Sequence, residues 1–149
     1  MRRARQGERG GSLPETAIVM GIVLVLLLGI IDFGRAMYTY ASVAQLARQG
    51  ARWAIVRGAQ CTQLDHCGAV STDVQTFVQG QSMGVMNPSS ISVNATWPPS
   101  GCPAGLPAKS PGCIVIVTVT YPFQFVLPFM NTNFPTYSMT STSQMVISQ

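Results

Sequence analysis

Few side chains in this sequence can do chemistry, and their placing narrows what kind. There is one histidine, His66, and there are five acids: Glu8, Glu15, Asp32, Asp65 and Asp73. The acids are scattered, so no paired-carboxylate site is visible. His66 falls in a cysteine-bounded loop and reads as a surface residue, since imidazole chemistry needs an orienting partner. No glycine-rich phosphate loop follows a strand pattern. Trp53 and Trp97 read as core or interface residues rather than a ligand cage. The chain is therefore expected to be no enzyme and to need no cofactor. Cys61, Cys67, Cys102 and Cys113 remain, and an even count in a small domain outside the cytoplasm points to disulfides. Three pairings are open. Local pairing, Cys61–Cys67 and Cys102–Cys113, is favoured because each bond would staple a polar or Gly/Pro-rich loop. A zinc site competes, but spacings of five and ten intervening residues do not match common zinc motifs.

Glu15 is the acid with the most unusual setting. It stands just before Ala17–Ile31, fifteen residues without a polar side chain, closed by Asp32. Fifteen helical residues span ~22 Å, and flanking Leu13–Thr16 and Phe33 bring the length near the ~30 Å of a hydrocarbon core. Ahead of the run lies MRRARQGERG, with four arginines. That cluster predicts a cytoplasmic N-terminus with the rest of the chain outside. Only 9% of the residues are charged, against ~25% in an ordinary soluble domain, and mean hydropathy is positive. The net charge of +4 is carried by the N-terminal third, since only Asp65, Asp73 and Lys109 are charged after Arg57. No basic face remains on the folded part, so nucleic acid is a poor partner.

Three readings of the N-terminus compete. A plain signal peptide needs small residues closely after the apolar run, and Asp32–Phe33–Gly34–Arg35 does not supply them. Ser42–Val43–Ala44 is too distant. An unprocessed bitopic membrane protein with a partner- or ligand-binding outer domain is the second reading. In the third, the basic leader ends at Gly10 and Glu15 is the fifth residue after it. That arrangement resembles a type IV pilin-like precursor, and GIIDFGRAMYTY (Gly29–Tyr40) with ARQGARWA (Ala47–Ala54) resembles TadE-like minor pilins, or pseudopilins, of tight-adherence secretion systems. Pro14 and Thr16, on either side of Glu15, depart from the family pattern.

The resemblance implies cleavage by a membrane aspartic prepilin peptidase after Gly10, with Gly11 as the new N-terminus. A cut after Gly11 would put Glu15 at the fourth position. It also implies that Glu15 meets the N-terminal amine of a neighbouring subunit, and that the protein primes, caps or anchors a tight-adherence pilus. The implied partners are the prepilin peptidase, major and other minor pilins, the inner-membrane assembly platform and the lipid bilayer. The implied location is the bacterial inner membrane, single-pass, with the C-terminal domain periplasmic and possible entry into a pilus.

These residues need elements to position them. Met37, Tyr40, Ala44, Ala47, Ala51 and Ala54 recur at helical spacing, so one helix is expected from about Pro14 to Arg57, spanning the membrane over about 14–33 and amphipathic beyond. Gln45, Arg48, Gln49 and Arg52 would form its polar side, with Arg48 and Arg52 as a solvated pair or a subunit contact. Ser71 is expected to cap a short helix with Val70, Val74, Phe77 and Val78 on its apolar side, ended by Gly80, Gly84 and Asn87–Pro88. Ile91–Trp97, Ile114–Tyr121 and Tyr137–Ile147 read as strands. The second keeps its phase through Phe123 and Phe125, so it is expected to run past Pro122 at an edge or bulge. The connection Phe123–Phe134 is apolar, and Leu127 and Phe129 within it are candidates for a subunit or membrane contact, against simple packing under a loop. The expected fold is α+β and pilin-like: a leader (1–10), a long helix (11–57) and an outer domain (58–149) whose small antiparallel sheet covers the alanine stripe.

Overall fold

The computed structural model describes residues 12–82, 84, 86–126 and 136–148. Gly10, Gly11, Leu127 and Phe129 lie outside the described residues. The first element is a 44-residue helix, α1 (Ser12–Ile55), ~66 Å long. It begins where proline is tolerated, with Pro14 near its start. Then follow α2 (Ser71–Gln81), a 3₁₀ turn at Pro88–Ser90, β1 (Ser92–Thr96), a second 3₁₀ turn at Pro99–Gly101, β2 (Ile114–Phe123) and β3 (Tyr137–Val146). The three strands form one antiparallel sheet in the order β1-β2-β3. The molecule is α+β: a long helix, a short one and a small sheet.

The apolar run in the first half of α1 is largely exposed among the described residues. Ile18, Met20, Leu24, Leu26 and Ile30 are all exposed, and the segment is long and apolar enough to cross a membrane. The second half lies on the sheet. Val43, Leu46, Ala47, Ala51 and Ala54 meet Val115, Val117 and Val119 of β2, Val93 and Ala95 of β1, and Val74 and Val78 of α2 in one core. Short side chains on the helix let the sheet come close. At Gly50 an added Cβ would lie 2.9 Å from Val78 and 3.2 Å from Val117.

The buried face of α1 differs from the expected one at its lower end. Ala47, Ala51 and Ala54 are buried, but Met37 and Tyr40 are exposed. The buried positions there are Asp32, Thr39 and Val43, with Ala36 and Arg35 half-buried. Apolar character is a poor guide where the buried side chains are polar and internally bonded. Thr39 donates its hydroxyl to the Arg35 carbonyl at 2.8 Å, so it enters the interface with its hydrogen bond made. Arg48 and Arg52 are exposed and Gln49 half-buried, which keeps the polar side as expected.

The strands keep their expected phase. Val115, Val117, Val119 and Phe123 face the core, as do Met139 and Ile147. The opposite face carries hydroxyl pairs, Thr118 with Thr142 and Thr120 with Thr140. β2 is the central strand, and yet it contains Pro122. The pairing with β1 stops at Thr120, so at Pro122 the only neighbour is Ser138 of β3. The missing N–H therefore points to an unpaired side, as a strand proline requires. Gly80 lies inside α2 rather than ending it, and Ser71 is its first residue, not its cap. Asp73 accepts from the Val70 N–H at 3.0 Å, while Ser71 accepts from the Ala95 N–H of β1 at 2.9 Å. The disulfides are Cys61–Cys67 and Cys102–Cys113, with Cα–Cα separations of 5.2 and 4.0 Å.

Candidate functional site

Glu15 occupies the first turn of α1 and is exposed. A carboxylate there meets the positive end of the helix dipole, which favours it whatever else it does. Above it, the side chains from Ile18 to Ile31 project away from the protein, so this stretch needs lipid or other helices around it. The expected site residues Arg48 and Arg52 stand well above, on the exposed side of the helix, and are not brought together with Glu15.

The best-built site is at the end of the apolar run, and sequence reasoning did not identify it. Asp32 is only 3% exposed. Its two carboxylate oxygens accept from the backbone N–H of Val126, just after β2, at 3.2 and 3.0 Å. The Arg35 guanidinium pairs with the same carboxylate at 3.1 Å and lies over the Phe123 ring at 5.5 Å. Phe123 in turn meets Phe125 edge to face, with ring centres 5.2 Å apart. One helical turn, Asp32–Arg35, thus fastens the end of β2 to α1. A buried carboxylate is tolerated when paired and hydrogen-bonded, and here it is both. The available signal was an aspartate closing an apolar run with an arginine three residues on. What it binds lies 94 residues away and leaves no periodic trace.

At the far end, cations serve the fold. Arg57 lies over Trp53 at 4.1 Å and donates to the Asp65 carbonyl at 2.8 Å. Trp53 stacks on Phe77. Lys109 lies over Trp97 at 4.6 Å and donates to the Gly68 carbonyl at 3.0 Å. Both tryptophans are half-buried against the core, in the structural role expected of them. His66 is on the surface as expected, with Nδ1 3.4 Å from Asp73. Among the described residues, no group of three or more His, Cys, Asp or Glu could hold a metal ion.

The family described as TadE-like protein matches residues 10–52. This segment is similar to that family. The match begins at Gly10 and covers Glu15, the apolar run, the Asp32–Arg35 turn and most of the packed half of α1. The TadE-like segment stops just short of Trp53, so the residues that grip the Cys61–Cys67 loop lie outside it. No curated protein and no solved structure matches the chain.

Proposed function

We propose that this protein is a minor pilin, or pseudopilin, of a tight-adherence pilus system. In this reading a prepilin peptidase removes residues 1–10, and Gly11 becomes the N-terminus with Glu15 as the fifth residue. Residues 14–33 hold the protein in the inner membrane, N-terminus inside and outer domain in the periplasm. It works without catalysis, by priming, capping or anchoring a filament of other pilins on their assembly platform. The supporting observation is that the TadE-like match falls on the segment carrying Gly10, Glu15 and a helix long and apolar enough to cross a membrane. The energetics suit exchange of that helix between lipid and similar helices, because small and apolar faces pack in either setting.

The mass of the mature chain tests this reading. A polypeptide starting at Gly11 is expected. An intact Met1 would favour the bitopic membrane protein, and a start near Gln45 would mean ordinary secretion. Replacing Gly10 should block maturation; an unchanged mature size in that variant would count against the proposal.

A further inference from the structure

We propose that the end of β2 is a second membrane contact: Val126 rests in the lipid interface, so the outer domain stands on the bilayer through this foot as well as through its helix. The inference rests on α1 spanning the membrane.

Height along the helix carries the argument. From Pro14 to Asp32 the rise is ~27 Å, close to the ~30 Å hydrocarbon thickness. Arg35 is the next charged residue, one turn on and partly exposed. The hydrocarbon boundary therefore falls in the Asp32–Arg35 turn. Tyr38 and Tyr40, both exposed, stand ~9 and ~12 Å above Asp32, in the zone where aromatic belts lie.

Val126 is tied to that height. Its N–H reaches both oxygens of the Asp32 carboxylate, so its backbone cannot stand much above the boundary. The residue is nevertheless 63% exposed, beside a helix whose Phe33 is 66% exposed at the same level. An apolar side chain projecting at this depth meets acyl chains and headgroups. Charge does not oppose the contact, since the sequence has no charged residue after Lys109. The carboxylate that would be costly in lipid is itself buried under the joint it makes.

Tryptophan depth probes test the proposal. The full chain is reconstituted in phosphatidylcholine vesicles containing lipid brominated near the carbonyl end of its acyl chains. Val126→Trp is compared with Phe33→Trp on the helix and with Gln144→Trp near the opposite end of the sheet. Trp53, 21 residues above Asp32 on α1, and Trp97, which follows Thr96 at the end of the sheet that carries Gln144, are out of bromine reach and supply a constant background. The added emission of Val126→Trp and Phe33→Trp should be strongly quenched and that of Gln144→Trp untouched. Quenching at Phe33 without quenching at Val126 overturns the foot and leaves the spanning helix standing. No quenching at Phe33 overturns the spanning helix and the foot with it. Quenching at Gln144 equal to that at Val126 means unspecific adsorption and also overturns the foot. Should Val126→Trp misfold, Gln124→Trp, exposed two residues earlier, gives the same readout with weaker quenching.

Discussion

Asp32 shows how one side chain can do two jobs on a long helix. It ends the apolar run, and it holds a distant backbone N–H. Replacing it with alanine leaves the Val126 N–H and the Arg35 guanidinium without that carboxylate. Loss of a hydrogen bond to a charged group, with a buried donor left unsatisfied, costs about 1–3 kcal/mol. Asp32→Ala is expected to lower the unfolding midpoint in detergent by that equivalent, and Asp32→Asn, which keeps one acceptor oxygen, by less. Equal stability of all three proteins would show that the joint contributes nothing. Gly50 makes a second prediction at this scale. A methyl there meets Val78 and Val117 closer than van der Waals contact, whereas at Gly21 it meets nothing within 4 Å. Overpacking costs about 1–3 kcal/mol, so Gly50→Ala should destabilise the domain and Gly21→Ala should leave its unfolding unchanged.

Among the elements, α2 is more than a cover for the core. β1 is an edge strand, and an open edge invites pairing with other chains. Ser71 and Gln79 close it: the Ser71 hydroxyl accepts from the Ala95 N–H, and the Gln79 amide donates to the Ile91 carbonyl at 3.1 Å. Ser71→Ala would leave the Ala95 N–H without that acceptor and should cost about 1 kcal/mol in thermal unfolding, with a raised tendency to aggregate visible by light scattering. The sequence made the elements themselves legible. Alternating β-branched residues set the phase of β2 past Pro122 to its end at Phe123, the long apolar run marked α1, and loop composition pointed to the cysteine pairing. Position along a period is a local property, so it survives in the sequence. The misread positions are those where a polar side chain answers a remote backbone group. Ser71 looks like a helix cap because its distant partner on β1 is invisible, and the tie from Asp32 to Val126 is invisible for the same reason. Gly10 and Gly11, where the proposed cleavage falls, were singled out only through the family pattern.

At the scale of the whole molecule, the sheet is clamped to α1 at both ends. Val126 is bonded to Asp32 at the bottom, and the Ser148 N–H donates to the Ile55 carbonyl at 3.1 Å at the top. The helical rise between Asp32 and Ile55 is ~34 Å, and a ten-residue strand such as β2 extends ~33 Å, so helix and sheet match in length. The hydrophobic core begins at Val43 and lies wholly above the apolar run. It follows that the core of the packed domain needs no side chain of the apolar run. A chain of residues 34–149, exported to an oxidising compartment, is expected to fold as a water-soluble protein with both disulfides formed. It should be less stable than the full chain in detergent by about the 1–3 kcal/mol assigned to the lower clamp, because it lacks Asp32. Circular dichroism and the denaturant midpoint check both points. A fragment that stays unfolded would show that the lower clamp, rather than the valine and alanine core, decides whether the domain forms.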